Sequence, residues 1–265
     1  MFVGRFRHKD EREAEAVSLQ RAYYRNTAGR YDSIHVDGDE QKLGEHDLAA
    51  AFMIAAIPRL GIRSVLDIGS GTGRALRQLK ASLPDVRIVG IEPSEALRLE
   101  GYRNGLTEEE LVDGDAQALN YATGSFDLVC EFGSLHHMPR PSDAVAEMLR
   151  VAHRAVFISD ANNFGQGGRL ARIVKQGLNA CGLWPLADFI KTRGKGYTIS
   201  EGDGLAYSYS VFDDYRQIEK VCGSVHIVNT AGGRINPYRT ASHVALLGIK
   251  TPKADGQEPA PLPSR

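Results

Sequence analysis

Cysteine is scarce in this chain of 265 residues: Cys130, Cys181 and Cys222 are few, odd in number and scattered, so they form neither a disulfide framework nor a Cys-x-x-Cys metal spacing. A reduced, cytoplasmic setting is expected. A dominant charge is also missing, because 32 Lys and Arg against 33 Asp and Glu leave a formal net charge of -1 and no broad positive field for a phosphate backbone. No dedicated nucleic-acid binder is expected. No stretch reaches the roughly 18 consecutive apolar residues of a membrane span. The amino end, Met1 to Lys9, lacks the continuous apolar run of a secretory signal. Neither secretion nor a membrane span is predicted, and the chain has no internal repeats.

What is present is a globular composition, 42% hydrophobic and 25% charged, long enough for one substantial core with an elaboration. Its most informative stretch is an apolar strand, Ser64 to Ile68, that runs into Gly69-Ser70-Gly71-Thr72-Gly73, followed by a second strand, Ile88 to Glu92, that ends in a carboxylate. Closely spaced glycines let the backbone turn sharply against a ligand, and an acid about 20 residues on can accept hydrogen bonds from ribose hydroxyls. A dinucleotide fingerprint would place its third glycine at position 74, which holds Arg74; the third glycine is Gly73 instead.

That Gly-x-Gly-x-Gly pattern, with Asp67 just before it, resembles the first motif of class I S-adenosylmethionine-dependent methyltransferases, and the likeness extends over residues 60 to 160. It implies an α/β fold, a Rossmann-like, doubly wound, mostly parallel seven-stranded sheet with a C-terminal antiparallel strand. It also implies S-adenosyl-L-methionine as cofactor. The ligand's charge agrees, since a sulfonium and an ammonium without phosphate are attracted to carboxylates such as Asp67, Glu92 and Asp115.

Along the chain, residues 1–58 read as a helical lead-in, 59–160 as the cofactor-binding core, 161–212 as a substrate-lid insertion, 213–250 as a closing helix and hairpin, and 251–265, with four prolines, as a disordered tail. Helices are expected over 10 to 28, Leu48 to Ile57 (stopped by Pro58), Arg74 to Ser82, Ser94 to Arg103, Ser142 to Val151 and Asp213 to Val221. Strands are expected at Ser64 to Ile68, Val86 to Ile91, a short one ending at Val112, Phe126 to Cys130, Ala155 to Ser159, Ser224 to Asn229 and His243 to Lys250.

Ligands of an open α/β sheet lie beyond the carboxyl ends of its strands, so the residues there are the candidates. The glycine turn, Gly69, Ser70, Gly71 and Gly73, should lie against the cofactor and Glu92 should hold the ribose. The resemblance implies that Asp115 accepts from the adenine amino group, that Ala116 offers its amide to a ring nitrogen, and that Tyr31 of the Tyr31-Asp32 pair covers the methionine end. Asp113 competes with Asp115. After the fourth strand, Glu131 to Pro139 should face the transferring methyl, and its paired imidazoles His136 and His137 are the acid–base candidates, His137 ahead. Cys130 reads as a core cysteine.

Asp160 and Asn162, with Glu131, resemble metal-assisted hydroxyl methyltransferases, but the spacing matches imperfectly and no metal is assigned. The loop has no Asn-or-Asp, two-proline, aromatic signature of amino methyltransferases acting on bases, and a Lys-Pro-Gly-Gly type turn before the fifth strand is missing. Within the insertion, Leu170, Ile173, Val174 and Leu178 have helical spacing with Arg169, Arg172 and Lys175 between them, which predicts one buried and one wet face. An interfacial membrane helix is set aside there for too few basic residues. Residues Gly196 to Ser210 mix aromatics with hydrogen-bonding groups suited to a polyol, sugar or phenol, or form an amphipathic edge strand. The expected function is O-methylation of a small-molecule or glycan acceptor, with N-methylation of an amine, or a non-catalytic cofactor-binding module, as alternatives.

Overall fold

The computed structural model describes residues 3–33, 40–231 and 236–251, so the tail expected at 251–265 falls, beyond Thr251, outside the described residues. Helix α1 (Val3–Thr27) ends in a tight turn over Ala28–Arg30, where the lead-in was expected to break. Helix α2 (Glu40–Leu60) runs through Pro58 rather than stopping before it. The helix ends instead at Gly61, whose φ of +62° is left-handed, with Gly61 N–H donating to the Pro58 carbonyl and Ile62 N–H to that of Ile57.

Strands and helices then alternate: β1 (Ser64–Ile68), α3 (Arg74–Ser82), β2 (Arg87–Ile91), α4 (Glu95–Arg103), β3 (Leu111–Val112), β4 (Phe126–Phe132), α5 (Pro141–Val151) and β5 (Ala152–Ala161). The insertion holds α6 (Arg169–Ala180), α7 (Trp184–Lys191) and a hairpin of β6 (Tyr197–Ser200) and β7 (Gly204–Tyr207). Helix α8 (Tyr215–Val221) and strands β8 (Cys222–Asn229) and β9 (His243–Lys250) close the chain.

The seven-stranded sheet has the order β3-β2-β1-β4-β5-β9-β8, and only β9 runs against its neighbours. Strand order reverses between β1 and β4, which opens the crevice at their carboxyl ends. Period-two alternation feeds two cores: Leu66, Val129, Val156 and Ile158 pack with Met148 of α5, while Val65, Leu128, Cys130 and Phe157 pack with Met53 of α2 and Leu79 of α3. Phe157 is fully buried and rings from Phe52 and Phe132 lie on it at 6.2 and 5.6 Å. Phe157→Ala should therefore cost about 3–5 kcal/mol in urea unfolding, through lost contacts and the cavity left behind.

One local expectation fails. Helix α6 has the predicted amphipathic spacing, yet none of its residues is buried, and Leu170, Ile173 and Val174 stand in solvent.

Candidate active site

A cavity of about 410 Å³ opens at the carboxyl ends of β1, β2 and β4, closed over by α1 and the insertion, a volume within the range of small-molecule sites. Its floor is the glycine turn. Gly69 must be glycine twice over: its φ is +65°, and a Cβ there would stand 2.4 Å from Ser134 Cβ. Gly71 N–H donates to Glu92 Oε2 at 3.0 Å, and Ser94 N–H donates to Glu92 Oε1 at 2.8 Å. The carboxylate thus links the turn after β1 to the start of α4. Burial pushes its carboxyl up to about 7, against those two donors, so it stays half-protonated near neutrality.

Asp115 and Ala116 line the same cavity beyond β3. One oxygen of Asp115 accepts from Gln117 N–H at 2.9 Å, an Asx turn. Asp113 pairs with Arg98 at 2.6 Å with its side chain 73% exposed and does not line the cavity.

Tyr31 lies over Gly71, at 3.7 Å from the position of an added Cβ, with the Tyr24 ring edge-on at 5.8 Å. Burial, then the nearby Glu92 carboxylate, raises its phenol, so it presents a neutral ring. Asp32 ties this segment down by accepting from Thr72 Oγ1 at 2.5 Å and pairing with Arg77 at 3.5 Å.

Three predicted residues sit behind the wall. Gly73, Asp67 and Glu131 do not line the cavity. Gly73 is left-handed and abuts Leu106. Asp67 is buried beneath the turn, raised to about 7 by that burial, with Cys130 Sγ at 3.7 Å. Glu131 is fully buried and accepts from Ser134 N–H at 2.9 Å, which orders the loop. Cys130 is a buried core thiol, as expected.

The histidine loop is a tight turn over Leu135–His137, held by Asp160: Oδ2 accepts from Leu135 N–H at 2.8 Å and Oδ1 meets His136 Nδ1 at 2.6 Å. Asp203, from the turn between β6 and β7, stands 3.5 Å from His136 Nε2 and 3.5 Å from His137 Nε2. His136 therefore has a carboxylate at each ring nitrogen. Burial opposes its charge, but Asp160 and Asp203 outweigh burial and raise it well above the usual imidazole range, while Asp160 falls to about 2. A ring that keeps its proton cannot accept one, so His136 is held between Asp160 and Asp203 as a cation that can donate a proton but is not poised as a base.

His137 differs. Its Nδ1 lies 2.6 Å from the Leu205 carbonyl, which can only accept, so Nδ1 carries a hydrogen, an assignment made from this partner, while Nε2 faces Asp203 Oδ1 at 3.5 Å. The ligand atoms of His136, His137 and Asp203 lie within 4.8 Å of one another, a spacing compatible with a divalent cation; two carboxylates on one imidazole equally satisfy a proton. Of the residues that resemble a metal-assisted site, Asp160 has both oxygens occupied by protein donors, Asn162 bonds the Ala241 carbonyl and Ser210, and Asn163 lines the cavity.

Sequence reasoning missed several wall residues. Arg74, at the start of α3, lines the cavity with a buried Nη1 that has no partner, a waiting donor for an anion. Neutral His46, lowered to about 4 by burial and then by His243 and Arg74, also lines the cavity. Asp203 and Leu205 come from the insertion, and Leu205 N–H is itself held by Gln20 Oε1 of α1 at 2.6 Å. The mismatch at Arg74 was the one signal available in advance.

A family model described as a methyltransferase domain matches residues 66–158. The chain is 29% identical over 154 residues to the ubiquinone/menaquinone biosynthesis C-methyltransferase of Dinoroseobacter shibae, covering 55% of this chain and 59% of that one. It is 28% identical over 181 residues to the glycine/sarcosine N-methyltransferase of Parasynechococcus marenigrum, covering 63% and 61%. The chain thus spans less than two thirds of the length of these curated relatives. The structure of magnesium protoporphyrin IX methyltransferase from Synechocystis, solved with bound SAH, shares the fold at a TM-score of 0.56 and 16% identity, covering 89% of this chain and 100% of that one. A dinucleotide-binding sheet would lack the reversed β9 and would carry glycine where Arg74 stands; the chain is instead similar to class I S-adenosylmethionine-dependent methyltransferases, and its residues 66–158 match the methyltransferase-domain model.

Proposed function

We propose that the protein transfers the methyl group of S-adenosylmethionine to a hydroxyl of a small molecule or glycan. Glu92 would accept from the ribose hydroxyls, Asp115 from the adenine amino group, and Arg74 would pair with the methionine carboxylate, the one anionic group of the cofactor. That orientation carries the sulfonium toward Tyr31 and the histidine loop.

The observation behind the O-methyl reading is His137. Its donated Nδ1 hydrogen leaves Nε2 to take the hydroxyl proton while the oxygen attacks the methyl in line, and Asp203 at 3.5 Å stabilises the imidazolium that results. Most of the acceleration comes from alignment and exclusion of water, to which the covering insertion contributes as a lid. Thr198, Tyr207 and Ser208 place hydroxyls on the cavity wall, a lining suited to a polyol, sugar or phenol.

The named relatives methylate carbon or nitrogen, and an amine acceptor would need only to arrive neutral, without His137. The free thiols Cys130, Cys181 and Cys222 suit a reducing cytoplasm. Titration calorimetry with S-adenosylmethionine, followed by incubation of cell extract with methyl-labelled cofactor, tests the reading. A labelled methyl ether supports it, a labelled amine or ring carbon moves the chain to a sister chemistry, and binding without turnover leaves a cofactor-binding module.

A further inference from the structure

Helices α6 and α7 are built inside out. A surface helix ordinarily turns its apolar stripe to the core and its polar residues to water. In α6 the polar side chains face the protein: Gln176 Nε2 donates to the Phe164 carbonyl at 3.0 Å and to that of Arg239 at 2.6 Å, Lys175 bonds the Asn163 carbonyl, and Arg172 bonds that of Gly167. The opposite stripe, Leu170, Ile173 and Val174, is 75%, 58% and 50% exposed.

Helix α7 repeats the inversion. Trp184 packs edge-on against Phe164, and Asp188 accepts from Ser208 at 2.5 Å, whereas Leu186, Phe189 and Ile190 are at least 60% exposed. With Leu183 between the helices, these residues are seven of the thirteen exposed large hydrophobics among the described residues. Scattered exposure is ordinary; a contiguous apolar face is a docking surface.

Charge identifies the partner. The exposed charged side chains between residues 169 and 195 are four cations, Arg169, Lys191, Arg193 and Lys195, while the one acid there, Asp188, is half-buried, in a chain whose net charge is -1. A second copy packed face to face would bring the same cations together and be repelled. An anionic bilayer accepts both features, apolar side chains at the acyl boundary and cations among the phosphates. No helix among the described residues is long and apolar enough to cross a membrane, so the contact is one of lying on the surface.

We propose that the outward faces of α6 and α7 dock this protein on an anionic lipid bilayer. Too few basic residues was the objection from sequence; it fails once the apolar stripe is seen to face outward, because the two contributions add. Lys191 also lines the cavity, so docking sets the acceptor entrance beside the headgroups. That consequence rests on the methyl-transfer reading; the docking itself does not.

The test is co-sedimentation of the full chain with extruded vesicles, either pure phosphatidylcholine or equal parts phosphatidylcholine and phosphatidylglycerol. The chain should pellet with the anionic vesicles, remain in solution with the neutral ones, and be released by added salt. The triple variant L170S/L186S/I190S, none of whose positions lines the cavity, should lose about tenfold or more in vesicle affinity while binding S-adenosylmethionine unchanged. Parent protein that stays in the supernatant with anionic vesicles, or a triple variant that pellets equally well, overturns the proposal. So does a parent dimer in analytical ultracentrifugation that the triple variant dissolves, since the face would then belong to a second copy. Loss of cofactor binding with docking intact would strike the methyltransferase reading alone.

Discussion

Glu92→Gln should weaken S-adenosylmethionine binding about 100-fold, because two ribose hydroxyls donating to a carboxylate contribute about 3 kcal/mol together beyond what a neutral amide returns. Some of that loss arises in the protein, since the glutamine can accept from only one of the Gly71 and Ser94 N–H groups. The pH dependence separates the two contributions. Glu92 sits at about 7 in the free protein, and ribose hydroxyls donate to its ionised form, so cofactor binding lowers its pKa and releases a proton. Affinity should fall about tenfold per unit as pH drops below 7 and level off above it, and the glutamine variant should show no such slope. Calorimetry in buffers of different ionisation enthalpy reads the proton directly. A wild-type dissociation constant flat from pH 5.5 to about 8 would falsify the ribose assignment. The same elevation has a stability sign: Glu92 and Asp67, both near 7 when folded, bind more protons folded than unfolded above the ordinary carboxylate range. Their contribution to the free protein's stability declines as pH rises toward 7.

His137→Ala should lower kcat about 10²–10⁴-fold with the cofactor dissociation constant unchanged, the range expected when a positioned base is removed. The ring lines the cavity, with its Nδ1 held by the Leu205 carbonyl and Nε2 beside Asp203. Loss of a structural ring would slow every acceptor alike. Loss of a base should slow an alkyl alcohol far more than an acidic phenol that arrives already ionised, so a series of acceptors graded in acidity decides between them. Equal losses along that series would return His137 to loop ordering. His136→Gln should instead disturb the loop itself, because the cation bridging Asp160 and Asp203 disappears and leaves two buried or half-buried carboxylates uncompensated.

The cofactor half was legible because its signals are local. A left-handed turn needs glycine at positions a few residues apart, and a strand buried on both faces reads as a continuous apolar run, so β1, β2, β4 and β9 emerged close to their observed limits. Pro58 misled because a proline late in a helix removes a single hydrogen bond, and packing of Met53 and Ile57 outweighs it.

The methyl end was not legible for the opposite reason. Asp203 lies 66 residues beyond His137, and Leu205 acts through a backbone carbonyl that carries no side-chain signature and is itself held by Gln20, 185 residues upstream. The roles of the paired histidines therefore separate only when the fold brings one imidazole between two acids and the other against a carbonyl.

Local backbone chemistry and hydrophobic periodicity, both written in short stretches of the chain, determined the sheet, the glycine turn and the acid at its neighbour's tip. Tertiary structure alone decided which partners meet each of the two imidazoles and which side of α6 and α7 meets solvent. Periodicity defines a stripe on a helix but not its partner, and the charge state of a buried ring depends on groups brought to it from distant positions.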